Sequence, residues 1–530
     1  MRHTLLVAAM LCIGPLRGAD VPVSRIVHAQ EDPRNWLTYW GDYHATRFRD
    51  LKQINRKNVG KLRLEWMFQS DIVGSFETVP LVADGVMYVS TPNASAYAID
   101  ARSGRQLWRY EYHIPKNARY CCGEANRGLA ILGHRIFMLT PDARLLAIDA
   151  RNGSLVWNVE VAPATGGSFG GAEAPLVVKD KVVVGVAAGD YGIRGFLDAY
   201  YADTGKRAWR FWTIPGPGEP GHDTWGGDSW KHGGGSTWMT GTYDPELNTL
   251  YWGVGNPAPD MVGSVRPGDN LYSDSLIALN PDTGKLKWHY QFTPHDTYDW
   301  DATEVPMLLD LPWNGETRKL VVQANRNAFF YVLDRATGEF LMARPFAKQT
   351  WAKGMDSKGR PIRIPDLDPT PKGTLVCPQC AGATNWMAPS FNPGTGWFYF
   401  NVREGCDKYY SKTPIYKEGQ SYWSTFYRGE PVGEEAGRVT ALDPVTAEAK
   451  WVFPLHTAPW AGTLSTSGDL VFAGDEDGYL MALDARTGKL LWRVNTGHRI
   501  VTSPVTYELD GKQYVTLPSG AALLTFALPE

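Results

Sequence analysis

At 530 residues, with 43% apolar, 12% aromatic and 21% charged residues, the chain can hold one large β domain or several ordinary ones. Its 55 glycines and 36 prolines describe a turn-rich globular protein, with neither long heptad patterns nor long charge runs. A formal net charge of -3 argues against a nucleic-acid partner, which needs a concentrated basic surface.

The chain opens with Arg2 and His3 ahead of an apolar run from Leu5 to Ile13, followed by Gly14-Pro15. That is the layout of a secretory signal peptide, and the run is too short to span a bilayer. Cleavage is expected after Ala19 or Ala29, making 1–29 a leader and 30–530 a single exported domain. A buried N-terminal strand is the competing reading. No other stretch is long and apolar enough for a transmembrane segment. Export permits disulfides, and without Cys12 the chain keeps Cys121, Cys122, Cys377, Cys380 and Cys406. An odd number leaves at least one thiol outside any intrachain pairing.

A repeat, Ala-x-Asp-x-x-Thr-Gly-x-x-x-Trp, then organises the chain. It runs from Ala98 through Gly104 to Trp108 and from Ala147 through Gly153 to Trp157, with looser copies ending at Trp209 and Trp288. Val332-Leu333-Asp334 to Gly338 is a degenerate copy with Met342 in place of the tryptophan, and Ala441–Trp451 and Ala482–Trp492 complete the series. Each copy reads as strand, turn and strand, with Asp bonding into the turn and Gly supplying a positive φ. A second hairpin precedes most copies, as in Leu81-Val82 and Val86–Val89 around Asp84-Gly85, and in Leu176–Val178 and Val182–Val184 around Lys179-Asp180. Four short strands per unit predict an all-β, eight-bladed β-propeller with tryptophan-docking repeats. The segment from Gly60 to Trp66 ends like an eighth copy without its first strand, and Leu523–Leu528 resembles that strand, so the last blade is expected to be closed by both chain ends. Long Pro- and Gly-rich loops at about 343–440 are expected to cap one face.

Several features stand outside the repeat. Adjacent Cys121-Cys122 can bond to each other only through a tight, distorted ring. A Cys377–Cys406 pair could staple the capping loop and leave Cys380 over; Cys377-Pro-Gln-Cys380 lacks a following His, so no c-type haem is expected. In an extended segment, Asp299 and Asp301 of Asp-Trp-Asp face one side and could address one hard cation, although turn and capping aspartates outnumber metal ligands. Gly255-Asn256-Pro257-Ala258-Pro259 and Gly189-Asp190-Tyr191-Gly192 each offer a further oxygen ligand, or simply turn chemistry. Between Trp225 and Trp238, glycines allow close backbone approach to a flat ligand, and Trp238 offers a stacking face.

At these residues the chain resembles the PQQ (pyrroloquinoline quinone)-dependent methanol and ethanol dehydrogenase family, over essentially the whole mature length. The motifs are Cys-Cys followed by Asn126-Arg127-Gly128-Leu129, Gly-x-Arg-Gly at Arg194, Trp-Lys-x-Gly-Gly-Gly, Gly-Asn-Pro-Ala-Pro, Arg-Pro-Gly-Asp-Asn and Thr-Pro-His-Asp. The resemblance implies PQQ sandwiched between Trp238 and a Cys121–Cys122 disulfide, with Glu77, Arg127, Ser236, Asn385 and Trp460 around its polar edge. Arg326 matches the arginine at the reactive carbonyl, and Asp190, Asn256 and Asp299 match metal ligands, with Asp301 beside them. It further implies oxidation of an alcohol to the aldehyde, with Asp299 as general base, hydride transfer to metal-activated PQQ, and a periplasmic cytochrome c as acceptor. Asp301 matches lanthanide-type members, so a lanthanide is favoured over Ca²⁺; a homodimer is compatible with the sequence.

Three departures from the family pattern stand out. Asp190 occupies a usual Glu position, losing about 1.5 Å of reach. Ala172 replaces a Thr that contacts PQQ, and Asp260 replaces the Trp that follows Asn-Pro-Ala-Pro and closes the substrate pocket. The alternatives are a non-catalytic periplasmic scaffold with the same repeat, which would need neither the Cys-Cys pair nor the clustered carboxylates, a calcium enzyme for other alcohols or aldehydes, or a degraded enzyme that binds PQQ poorly.

Overall fold

The repeat aspartates fold the chain back on itself. Asp100 Oδ1 accepts the Arg102 N–H at 2.9 Å, and Asp484 Oδ1 accepts that of Arg486 at 2.9 Å. Gly104 then turns the chain with φ 73°, and a Cβ there would lie 2.7 Å from the ring of Trp66, one unit earlier. Gly153 stands in the same relation to Trp108. Each of these tryptophans lies flat on the next unit's turn and donates its indole N–H to it. Trp66 reaches the Ala101 carbonyl at 3.2 Å, Trp108 that of Ala150 at 3.0 Å and Trp451 that of Ala485 at 2.9 Å. Glycine and tryptophan therefore recur together because the ring fills the space a side chain would occupy. In the degenerate unit Met342 replaces the ring, and Ala447 at φ 58° stands where the facing glycine belongs; both pack against one apolar cluster.

The computed structural model describes residues 18–530 apart from 73, 75, 119–122, 124, 164–168 and 424–428. Among the described residues eight sheets each contain a four-stranded antiparallel run. The first comprises Leu81–Ala83, Val86–Ser90, Ala96–Asp100 and Gln106–Tyr110 in sequence order. Its first three strands are almost wholly buried and its fourth, which carries Trp108, is half exposed. One sheet joins distant parts of the chain: Arg63–Gln69 pairs antiparallel with Ala522–Ala527, which continues through Lys512–Ser519 to Val505–Leu509. The only α-helix among the described residues is the single turn Val23–Val27. The fold is the all-β propeller.

The span 343–440 is not loop throughout. Ser390–Asn392 and Trp397–Glu404 are the first two strands of the sheet completed by Ala436–Leu442 and Ala449–Leu455. They escaped the repeat pattern because the first half of a unit carries no Ala-x-Asp signature. The remainder forms a cap with a hairpin, Ala352–Met355 and Pro361–Arg363, and a three-stranded sheet of Thr374–Val376, Asp407–Tyr409 and Gly429–Pro431. A Cys377–Cys406 disulfide ties two of its approaches. At the other end, residues 19–29 pack onto the hairpin that follows Leu129. Val21 exchanges backbone hydrogen bonds with Gly133, and Ala19, Val21, Ile26 and Ala29 are at most 2% exposed.

Candidate active site and metal centre

Loops leaving several sheets enclose a cavity of about 680 Å³ beneath the cap. Its lining includes Glu77, Arg127, Asp190, Ser236, Trp238, Asp299, Asp301, Arg326, Asn385 and Trp460, residues scattered across the sequence. Cys121 and Cys122 lie outside the described residues; Gly123, next to them, lines the cavity. Asn256 sits behind the wall, with its backbone N–H on Asp301 Oδ1 at 3.0 Å.

The glycine run positions Trp238. Gly234 donates to Ile193 O and Gly235 to Asn256 O, at 2.8 and 2.9 Å, so the run is clamped between the 193–195 and 255–258 segments. Gly234 has φ 77°, and a Cβ there would lie 2.8 Å from the Asn256 carbonyl, so glycine is required on both counts. Asp190 rides on a short turn, Gly189–Tyr191, whose Gly189 abuts Ser236.

The Asp-Trp-Asp segment is not extended. Asp296 accepts the N–H groups of Tyr298 and Trp300 at 3.1 and 3.0 Å, and Trp300 is fully buried with its indole N–H on Gln379 O. Asp299 takes φ 63°, a left-handed conformation that swings its side chain away from the alternation expected of a strand. The two carboxylates therefore part company. Asp299 gathers with Asp190 and Asp260, each offering a carboxylate oxygen within 4.8 Å of the others. Asp301 turns to Arg326, at 2.9 Å, and is not in that set.

Arg326 occupies the turn between Glu316–Ala324 and Phe329–Asp334. Its guanidinium donates to the Asp299 carbonyl at 3.0 Å and to Asn385 Oδ1 at 3.2 Å, and lies 3.4 Å from Glu304. Arg127 pairs with Glu77 at 2.8 Å, and its guanidinium carbon stands 5.0 Å from the Trp238 ring centre and 4.9 Å from that of Trp386. Arg403 covers Trp460 at 4.2 Å.

The site is strongly acidic at depth. Burial pushes the Asp301 carboxyl up, with Asp190 adding to the rise, against the pull of Arg326. Burial, with Asp296, Asp301 and Asp299 near, holds Asp274 well above the usual carboxylate range, and burial raises Glu304 to about 8. Burial alone would lower Arg326, but Asp301, Glu304 and Asp299 carry it above its ordinary value. Such an accumulation of carboxylates favours a bound cation. The donor set fits one: hard oxygen donors converge, and the buried amide of Asn256 has neither Oδ1 nor Nδ2 hydrogen-bonded among the described residues. A flat polyanionic cofactor fits the slot as well, with Trp238 offering an aromatic face and Arg127 and Arg326 within 5.0 and 5.6 Å of its ring centre.

Sequence reasoning missed Trp386, Arg403 and Glu304, which carry no motif of their own, and the Cys380 thiol, which donates to Asp299 Oδ2 at 3.3 Å. Asp260 was visible only as a departure from a pattern, and its place among the carboxylates depends on how its loop folds.

Comparison with known proteins gives one consistent answer. The profile described as "PQQ: Glucose/ethanol/alcohol dehydrogenase, beta-propeller domain" matches residues 36–361 and 433–515. The chain is 40% identical to the quinohemoprotein alcohol dehydrogenase ADH-IIG of Pseudomonas putida, over 99% of this chain and 79% of that protein. It is 36% identical to the lanthanide-dependent methanol dehydrogenase of Methylacidiphilum fumariolicum, over 98% of this chain and 90% of that one. A solved europium-containing methanol dehydrogenase superposes with a TM-score of 0.88 at 32% identity, covering 95% of this chain and 100% of that structure.

Proposed function

The chain belongs to the PQQ-dependent alcohol dehydrogenase family, and from that premise we propose that it oxidises a small alcohol to its aldehyde in the periplasm and passes the electrons to a cytochrome c. The observation that carries this reading is the convergence, in one cavity, of the Asp190, Asp260 and Asp299 carboxylates with Trp238, Arg127 and Arg326. We read the eight sheets as eight blades, the last closed by Arg63–Gln69 and Ala522–Ala527. Export follows from the pattern of Arg2 to Ile13.

Trp238, Arg127, Glu77, Ser236, Asn385 and Trp460 would hold PQQ, with Cys121 and Cys122 on its other face. Asp190, Asn256 and Asp299 would hold the ion. PQQ, when bound, would supply a two-electron acceptor for the alcohol, and the cation would supply Lewis-acid activation of that acceptor. Asp299 takes the proton of the alcohol hydroxyl, its main chain fixed by the bond from Arg326 to its carbonyl. Arg326 places a fixed positive charge where negative charge grows, and its pairing with Asp301 holds the guanidinium in one orientation. Arg127, held between two indole rings, presents a second fixed charge to a carboxylate. A lanthanide is favoured over Ca²⁺ because the site is so rich in carboxylates, in keeping with the lanthanide- and europium-containing proteins that the chain resembles.

The test is reconstitution of the exported protein with PQQ and either Ca²⁺ or La³⁺, followed by dye reduction with a series of alcohols from methanol upward. PQQ absorbance and alcohol-dependent reduction with La³⁺ are expected. Failure to retain PQQ with either ion refutes the reading, and activity with Ca²⁺ alone refutes the choice of lanthanide.

A further inference from the structure

We infer that Asp260 is a direct ligand of the metal ion, completing a three-carboxylate cage with Asp190 and Asp299 that is matched to a trivalent cation. The inference rests on the functional reading above and extends its ligand set by a residue that the sequence motifs do not assign to the metal.

The geometry is that of a ligand sphere. A hard ion of this size binds oxygen at about 2.3–2.6 Å, so two oxygens sharing it stand at most about 5.2 Å apart. Asp190, Asp260 and Asp299 each place a carboxylate oxygen within 4.8 Å of the other two, inside the pairwise limit for ligands of one ion. Asp260 and Asp299 are 0% and 2% exposed. Ionised carboxylates at such separations in a buried setting repel one another, and a bound cation reverses the sign of that interaction. Three such groups carry three negative charges, the number that neutralises a trivalent ion.

The loop that delivers Asp260 is built to hold it there. Arg266, itself fully buried, donates to the carbonyls of Pro259 at 3.2 Å and Asp260 at 3.0 Å, and to Asn270 Oδ1 at 2.8 Å. Those bonds to the loop go to main-chain oxygens, so Arg266 fixes the backbone from below. The same loop begins at Asn256, whose backbone N–H and carbonyl are used by Asp301 and Gly235. Its side-chain amide, 1% exposed, has no hydrogen bond among the described residues, an independent sign that this loop is organised around a ligand. Asp301, held by Arg326 and the Asn256 N–H, lies beside this cluster, so Asp260 adds to the negative charge around the ion rather than replacing that of Asp301.

The test measures metal binding directly. La³⁺ and Ca²⁺ affinities are measured for the full chain with PQQ, and for D260N and D260E, by competition against a chelating dye. Folding is checked by near-UV circular dichroism. D260N is expected to lose about 100-fold or more in La³⁺ affinity, since even groups outside the ligand set cost 10–100-fold. It should lose markedly less for Ca²⁺, whose charge is smaller, while D260E keeps La³⁺ affinity within about 10-fold of wild type because it keeps the charge. Unchanged La³⁺ affinity in folded D260N overturns the inference alone, as does an equal loss in D260N and D260E. Absence of binding of either ion to the wild-type chain overturns the metal reading on which it rests. If D260N does not fold, D260S takes its place under the same criteria.

Discussion

The guanidinium of Arg326 lies 2.9 Å from the carboxylate of Asp301, with 8% and 9% of the two side chains exposed. A buried pair of this kind couples Arg326 to the segment that presents Asp299. Removing one partner strands a charge in a low-dielectric site and costs about 3–5 kcal/mol. D301N and R326Q are each expected to lower the thermal midpoint, and the double variant to fall well short of the sum. Thermal melts of the four proteins, run as a double-mutant cycle, check this; strict additivity would dissociate the pair.

Asp299 is expected to matter for turnover far more than for cofactor retention. D299N keeps the shape of the side chain and removes its capacity to take a proton. The rate should fall by about 10²–10⁴-fold while PQQ absorbance persists. Steady-state kinetics beside the absorption spectrum separate the two effects, and a wild-type rate in D299N would remove Asp299 from the proton path.

Much of this arrangement was legible in the sequence, for physical reasons that differ by residue. The propeller was readable because Trp66 or Trp108 must find a facing Gly104 or Gly153, and that reciprocity imposes a fixed spacing. The strands at Ser390–Asn392 and Trp397–Glu404 were not, because no residue in them has an obligatory partner one unit away. In the site, Arg127, Trp238 and Arg326 stand out in the sequence, and the structure brings all three to one cavity. The Asp-Trp-Asp pair was misjudged in geometry, since alternation assumes extended backbone and Asp299 at φ 63° breaks it. Arg403 and Trp386 were beyond reach, because cation–π contacts between distant loops leave no spacing rule.

Glu173 gives the molecule a pH dependence separate from catalysis. The side chain is 0% exposed, one oxygen accepts the Gly185 N–H, and burial raises its carboxyl to about 8 from an ordinary 4.5. The folded state then binds the proton more tightly than the unfolded chain. Its contribution to stability is complete below pH 4.5 and is lost as pH rises through about 8. Between pH 6 and pH 9 the wild type should lose about 2–3 kcal/mol through this group. E173Q should remove most of that slope, and melts at the two pH values decide.

The degenerate unit offers a test of docking. Met342→Trp alone drives a large ring against Ala447 and should destabilise by about 1–3 kcal/mol. Ala447→Gly clears the turn, which already has φ 58°, so the double variant should recover that loss and exceed wild type. Denaturation midpoints of the single and double variants measure the coupling; independence of the two changes would contradict the packing account.

The exported protein is expected to begin near Ala19 rather than at residue 30. Val21 and Ile26 are 0% and 1% exposed, and each contributes about 1.5–3 kcal/mol of burial that cleavage after Ala29 would discard. The intact mass of the processed protein settles its start, and a mature chain beginning at residue 30 would contradict the expectation.

The pairing of Arg63–Gln69 with Ala522–Ala527 sets an order of events in the life of the chain. The strand Arg63–Gln69 must wait, with an unpaired edge, until Ala522–Ala527 has been made. The intermediate sheets have local partners and can assemble as they appear, but the first and last sheets cannot be sealed to each other before then. A nascent chain interrupted before Ala522–Ala527 therefore exposes a template for non-native strand addition, and that strand acts as the latch on whose arrival escape from aggregation depends.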